Sequence, residues 1–280
     1  MKIKRIIGKV LYHAFILALG FAMIYPVLWM ISGSLKNNGE ILSGSLSLIP
    51  PAWRWDNFQR GWKGFGHVTF TTYFKNSLII TSIATFGTVI SSSVIAYALS
   101  RINFKGRKFW FTLMIGTMLL PGQVVMIPQY LIYNRIGWVG TPLPLIVPHF
   151  FGAAFFTYMM MQFMQGIPRE LDEAAIIDGC SKYSVFTRVV FPLLKPSIIS
   201  TIIIQFYWKW DDYMGPMLYL SKPESYTVSI AVKLFADATS TTDYGAMFAM
   251  STLSMLPVFF IFLVFNRYLV DGISTSGIKG

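Results

Sequence analysis

Apolar residues in this chain gather into runs too long for the core of a water-soluble domain. A helix rising 1.5 Å per residue needs about 20 apolar residues to cross a ~30 Å hydrocarbon layer, and six stretches meet that requirement. Residues 11–31 carry only His13 as an ionisable group; 77–99, 109–131 and 246–265 carry no charge; 143–164 carries only His149. The sixth, 197–220, is apolar as far as Trp208 and is then interrupted by Lys209, Asp211 and Asp212. Lipid offers no hydrogen bonds, so each span must satisfy its own backbone. The pattern predicts an all-α membrane protein of six transmembrane helices. An N-terminal helix and long outer loop (1–76) precede a core domain (77–268), and a short tail (269–280) follows.

Composition agrees with that pattern. The chain is 54% hydrophobic and 12% charged, about half the charged share of an ordinary globular protein. Charge this sparse excludes a water-covered surface, and it excludes disordered, collagen-like and coiled-coil chains as well. The single Cys180 excludes an internal disulfide. The net charge of +11 takes its meaning from where the basic residues lie. The N-terminal tail, the 100–108 loop, the 165–196 segment and the C-terminal tail together hold 14 Lys and Arg, whereas the longer intervening loops hold eight. The positive-inside rule then predicts both termini in the cytoplasm. The excess is a topology signal with anionic lipid contact in second place, and nucleic acid is not a predicted partner. The first apolar run, at 21 residues, exceeds the ~7–15 of a cleaved signal and is expected to be retained.

Two loops stand out. The outer loop 32–76 is rich in Trp, Phe and Tyr, side chains that favour the headgroup layer, and is expected to lie on the membrane as a cap. In span two, Gly87 with Ser91, and Ala84 with Thr88 and Ser92, place small residues four apart, which suits close helix packing. The inner loop 165–196 reads QGIPRELDEAAIIDGCSKYSVFTRVVFPLLKP. Pro168 suits a first helical turn, and Glu170, Asp172 and Glu173 complement its positive end. Leu171, Ala174 and Ala175 form a narrow apolar face, and Gly179 can close the helix in a left-handed conformation. Such a helix is either an interfacial amphipathic loop or a rigid docking knob for another protein, and periodicity does not choose between them.

The run Glu173-Ala174-Ala175, followed by Asp178-Gly179 and by Pro192, resembles the EAA motif of ABC importer permeases. In that family the loop between spans four and five forms a coupling helix seated on the ATPase subunit. Further segments are similar to carbohydrate-uptake permeases of the maltose type: GSLKNNGEIL, Asn57-Phe58, TYFKNSLIITS and LLPGQVVMIPQY. The stretch FYWKWDDYMGPMLYLSKPESYTVSIAVKLF and the ending NRYLVDGISTSGIKG resemble the second permease of such pairs. One departure is Trp210-Asp211-Asp212-Tyr213, where relatives usually carry Trp-Asn-Asp-Phe. The resemblance implies a heterodimer with a second permease and two ATPase subunits that hold ATP and magnesium. It also implies an extracytoplasmic sugar-binding protein facing 221–245, and a bacterial plasma (inner) membrane location. It assigns Glu173, Ala174, Ala175, Asp178 and Gly179 to ATPase coupling.

Polar groups inside a bundle are costly and face a cavity or a partner. Lys209, Asp211 and Asp212, flanked by Tyr207, Trp208, Trp210 and Tyr213, either line a sugar pathway or form an interfacial belt with an internal ion pair. Gln123, between Pro121 and Pro128, either satisfies a freed backbone group or reaches a substrate hydroxyl. Gln123, Tyr207, Trp210, Asp211, Asp212 and Tyr213 are therefore the pathway candidates. Three scattered histidines predict no metal site, and no G-x-x-x-x-G-K-[ST] loop is present, so ATP is expected on a partner. An ATP-driven permease for a sugar or oligosaccharide is the reading. The alternatives are an ion-coupled carrier, which lacks a visible coupling-ion site, a membrane enzyme, which lacks an acid–base or metal constellation, and a permease for a sugar phosphate, polyol or acidic oligosaccharide.

Overall fold

The computed structural model describes the backbone of residues 2–236 and 242–274 and the side chains of 7–236 and 242–265. In chain order the helices are α1 (Lys2–Gly33), α2 (Asn38–Leu42), α3 (Asp56–Lys63), α4 (Phe70–Arg101), α5 (Arg107–Met118) and α6 (Gly122–Arg135). Next come α7 (Leu143–Ile146), which runs into a 3-10 turn, α8 (Ala154–Gln165) and α9 (Glu170–Ile177). α10 (Lys182–Val185) passes through a π turn into α11 (Phe191–Leu193). The last four are α12 (Lys195–Trp210), α13 (Met214–Tyr219), α14 (Val228–Leu234) and α15 (Tyr244–Ser274). Among the described residues the only β pairing is an isolated bridge between Phe65 and Val68.

Four helical stretches are long and apolar enough to cross a membrane unaided: Ile7–Gly33, Phe70–Arg101, Leu143–Gln165 and Tyr244–Phe265. Two bent pairs complete six, α5 with α6 and Lys182–Leu193 with Lys195–Trp210. The expected third span, 109–131, is thus not one helix: α5 and α6 meet at 104°. Pro121, at φ −60° and ψ 131°, supplies no amide for a continuing ladder and pushes its predecessor away from helix. Pro128 sits inside α6, so one proline of the two makes the break. The fifth span is also shorter than expected. Its helix starts at Lys195 and stops at Trp210, about 24 Å at 1.5 Å per residue, with α13 a separate six-residue turn. The tail is helical through Ser274; residues 275–280, and 237–241 within the outer segment 221–245, lie outside the described residues.

The chain divides into two compact units, Met1–Thr71 with Ala231–Leu256, and Thr72–Ile230 with Pro257–Gly280. In the first, the N-terminus of α15 is held by side chains. Asp243 Oδ1 accepts the Ala246 amide at 3.0 Å and Asn38 Oδ1 accepts the Gly245 amide at 3.2 Å, a capping arrangement for amides without helical partners. Arg60 Nε donates to Asp243 Oδ2 at 2.8 Å. The buried Asn57 amide donates to the Ser34 and Lys36 carbonyls, each at 2.8 Å. A Cβ on Gly61 would lie 2.7 Å from the Met250 side chain, so a larger residue there would have to displace that methionine. Trp53 and Trp55 of the outer loop stay exposed and stacked, with ring centroids 6.2 Å apart.

In the second unit the small-residue face of α4 does what its spacing predicts. Ser91 Oγ donates to the His149 carbonyl at 2.9 Å, Ser92 Oγ accepts the Ala153 amide at 3.3 Å, and Thr88 Oγ1 lies 3.2 Å from His149 Nδ1. A Cβ on Gly87 would stand 2.7 Å from the Phe150 ring. Hydroxyls and an absent side chain together let the 149–153 turn lie against α4. A separate apolar cluster joins Ala96, Tyr97 and Leu99 of α4 to Met160, Met161 and Met164 of α8 and to Val185, Val190 and Leu194. Through it the loop after α8 is fastened to the membrane helices.

Candidate functional site

The break between α5 and α6 and the early end of α12 open a cleft of about 510 Å³ in the second unit. α6 contributes Gly122, Gln123, Met126, Gln129 and Tyr133, and their spacing is that of one helical stripe. Facing them are His149, Lys209, Asp212 and Tyr219. Asp212 is fully engaged: Lys209 Nζ is 3.2 Å from Oδ2, the Gly215 amide donates to Oδ1 at 3.0 Å, and Ser229 Oγ donates to its carbonyl at 2.7 Å. The charges of Lys209 and Asp212 therefore cancel locally. Gln205 Nε2 lies 3.2 Å from His149 Nδ1. With that amide donating, Nδ1 accepts and the ring proton sits on Nε2. Tyr133 and Tyr219 meet edge to face at 5.5 Å. The result is a neutral cleft with amide, imidazole and phenol groups beside flat aromatic faces, a surface able to exchange hydrogen bonds with hydroxyls and to cover C–H faces.

Of the sequence candidates, Gln123 and Asp212 line this cleft and the other four do not. Trp210 is buried, its ring near-parallel to Phe206 at 5.7 Å and 5.9 Å from Phe74. Tyr207 and Asp211 are exposed, and Tyr213 is half-buried just before α13. Sequence reading missed Gln129 and Tyr133, and the signal was available. Residues 122, 126, 129 and 133 recur at four-, three- and four-residue steps along a helix already suspected of breaking. It left Lys209 open between the pathway and an interfacial belt and gave His149 no pathway role, whereas both border the cleft.

The second feature is the loop after α8. α9 carries Glu170, Asp172 and Glu173 in its first turn, and it closes with two reverse hydrogen bonds. The Gly179 amide donates to the Ile176 carbonyl at 3.0 Å and the Cys180 amide to the Ala175 carbonyl at 2.9 Å. This is the Schellman arrangement, with Gly179 at φ +85° in the left-handed region where a side chain is penalised. The expected apolar face is rearranged. Ala175 turns inward onto the buried cluster, while Glu173, Ala174, Asp178 and Gly179 are exposed. The outward apolar tip is instead made by Ile176, Ile177 and Tyr183, with Ile177 85% exposed.

Polar bonds lock α9 to the helix ends behind it. Arg101, its side chain 4% exposed, lies 3.3 Å from Asp172 and donates to the Met164 and Ile167 carbonyls at 2.6 Å each. Those carbonyls lie at the end of α8, where helical partners run out. Arg169 reaches the Ser100 carbonyl at 3.2 Å, and the Tyr97 hydroxyl donates to the Lys182 carbonyl at 3.0 Å. Arg101 reads in sequence as one more basic loop residue; nothing local marks it as the bolt between three elements. α9 is thereby tied to the ends of α4 and α8.

Comparison with known proteins agrees with this architecture. Residues 87–275 match the family described as "Binding-protein-dependent transport system inner membrane component". The chain is 33% identical to the probable ABC transporter permease protein YurM of Bacillus subtilis, over 98% of this chain and 90% of that one. It is 30% identical to the arabinooligosaccharides transport system permease protein AraQ of Halalkalibacterium halodurans, over 95% and 97%. The fold is shared with a chain of a bacterial ABC transporter involved in the import of the acidic polysaccharide alginate, at a TM-score of 0.81 and 22% identity, covering 95% of this chain and 97% of that one. Six potential spans, a locked helix between the fourth and the fifth, and a match over two thirds of the length lead to one conclusion: the chain belongs to the family of binding-protein-dependent transport system inner membrane components, the permeases of ABC importers.

Proposed function

We propose that this permease admits a neutral sugar or oligosaccharide, working with a second permease, two ATPase subunits that hold ATP and magnesium, and an external sugar-binding protein. It resides in the bacterial plasma membrane with both termini in the cytoplasm. α9 is the coupling helix. Ile176, Ile177 and Tyr183 enter the ATPase surface, Glu173, Asp178 and Gly179 border that contact, and the anchored Ala175 keeps the helix on its base. Nucleotide-driven movement of the ATPases then pulls on α9, and the Arg101 bolt passes the pull to α4 and α8. The observation that carries this reading is that the eight-residue α9 pairs exposed apolar side chains, Ile176 and Ile177, with a buried ionic anchor at Asp172. An interfacial loop needs the first feature and has no use for the second.

The substrate class follows from the relatives' printed substrates together with the cleft. Lys209 is occupied by Asp212, so no unpaired cation there invites a carboxylate or phosphate. Gln123 and Asp212 remain the pathway groups of this reading. The test is uptake into proteoliposomes holding the complete transporter and its binding protein, with labelled neutral oligosaccharides offered beside uronate-containing ones. ATP-dependent uptake of the neutral ligand is expected. Uptake driven by an ion gradient without ATP, or restricted to the acidic ligand, would overturn the proposal.

A further inference from the structure

Two cavities in the second unit play no part in the transport reading. One, of about 690 Å³, is lined by Asn103, Arg107, Lys108 and Gln165 with the rings of Phe104 and Phe111. The other, of about 470 Å³, is apolar, with Val94, Ala98, Trp110, Leu113, Met114 and Phe151 in its wall. They share Leu99 and Phe104 as a common wall. Neither is lined by a carboxylate. Arg107 spends its two side-chain hydrogen bonds on neutral acceptors, Asn103 Oδ1 and the Ser100 carbonyl, each at 3.3 Å. Among the described residues neither Arg107 nor Lys108 joins an ion pair.

An unpaired cation facing water needs no explanation, but these two stand at the mouth of a hydrocarbon-lined groove. Phe109, Trp110 and Leu113, on the same helix, are exposed. A ligand that satisfies both cavities must carry an anionic group joined to an apolar chain. The dimensions agree: Val94 to Arg101, the end of α4, is seven residues, about 10 Å of helix rise, or a third of a ~30 Å hydrocarbon core. The basic end is also the end that holds α9, since the Ser100 carbonyl accepts from both Arg107 and Arg169. We propose that the paired cavities bind one anionic phospholipid of the cytoplasmic leaflet, its phosphate between Arg107 and Lys108 and an acyl chain in the groove past Ala98 and Met114. Basic pockets between membrane helices on that side suit anionic headgroups, and here a neighbouring bond links the pocket to the coupling helix.

The test is native mass spectrometry of the complete detergent-solubilised transporter, titrated with phosphatidylglycerol or with phosphatidylcholine of matched chains. The wild type is expected to retain phosphatidylglycerol preferentially. Each basic residue near the surface contributes about fivefold, so Arg107→Gln with Lys108→Gln should lower that preference about thirtyfold, and Arg107→Lys with Lys108→Arg should keep it. Ala98→Phe, which fills the groove without touching charge, should reduce retention of both lipids. A wild type with no preference for phosphatidylglycerol overturns the proposal whatever the variants do. So does an unchanged preference in the charge-neutral variant, or cross-linking of Leu113→Cys to the second permease, which would show a protein in the groove.

Discussion

At the scale of single residues, Gly179 separates two reasons for a glycine. Its φ of +85° favours glycine in any fold, yet a Cβ there would meet no atom within 4 Å. Within this chain the constraint is therefore backbone conformation alone. Left-handed geometry costs an ordinary L-residue roughly 1–2 kcal/mol and asparagine less, so Gly179→Asn should leave the melting temperature of the permease nearly unchanged while Gly179→Ala lowers it. If the coupling role holds, Gly179→Asn and Gly179→Asp both reduce co-purified ATPase. An asparagine variant that keeps its full complement of ATPase would assign the glycine to helix closure only. The Arg101–Asp172 pair behaves differently. Removing one partner from a buried pair costs about 3–5 kcal/mol because the other charge is stranded; here two carbonyls still accept from Arg101, which points to the lower end. Thermal unfolding should show Asp172→Asn clearly destabilised, and Arg101→Met more so, since it strands Asp172 and also removes the donor to the Met164 and Ile167 carbonyls.

At the scale of elements, the helices were legible in the sequence and their breaks only in part. Apolar run length locates all six spans, and Gly87, Thr88, Ser91 and Ser92 announce the face of α4 that packs against 149–153. Pro121 marks a break, but not a turn of 104°, since proline removes an amide and says nothing of where the next helix is drawn by its own packing. The internal ion pair of Asp212 with Lys209 was one of the two readings the spacing offered, and the Gly215 amide three residues on adds to it where α12 has ended. Long-range partners cannot be read from spacing, which holds for Arg101 with Asp172 and for Arg60 with Asp243. The last pair gives α15 a pH dependence. Burial pushes the Asp243 carboxyl up, but the Arg60 guanidinium and the Ala246 amide more than reverse this, and it titrates below the usual 3.8. A depressed folded value means the stabilisation is complete above pH 3.8 and fades as pH falls through the lower folded value. Melting of the solubilised permease should therefore be flat from pH 7 to about pH 5 and fall below about pH 4 on this group's account. Asp243→Ala should lose about 1 kcal/mol of capping at neutral pH and should show a shallower acid slope.

At the scale of the whole molecule, the proposed coupling requires that the ATPases grip α9 differently in their nucleotide-bound and nucleotide-free states. Equal grip in both states shifts no population, however tight it is. Moving a two-state permease from about 1:99 to 99:1 takes a ~10⁴-fold difference in affinity, near 5.5 kcal/mol. A tip of three exposed apolar side chains, each contributing roughly 1.5–3 kcal/mol on full burial, can supply that difference only if most of it is engaged in one state and released in the other. Ile177, the most exposed of the three, then carries a large share. Replacing it with serine removes apolar area while leaving the Arg101 anchor and the Gly179 closure in place. The expected result is uncoupling rather than loss of assembly: ATP hydrolysis by the reconstituted transporter persists, and substrate molecules imported per ATP fall severalfold. The deficit should track Ile177 and Tyr183 and spare changes at Ala174, whose side chain offers little area. Import per ATP equal to wild type in Ile177→Ser would mean the tip holds the ATPase without steering it, and the work would have to enter the membrane helices by another contact.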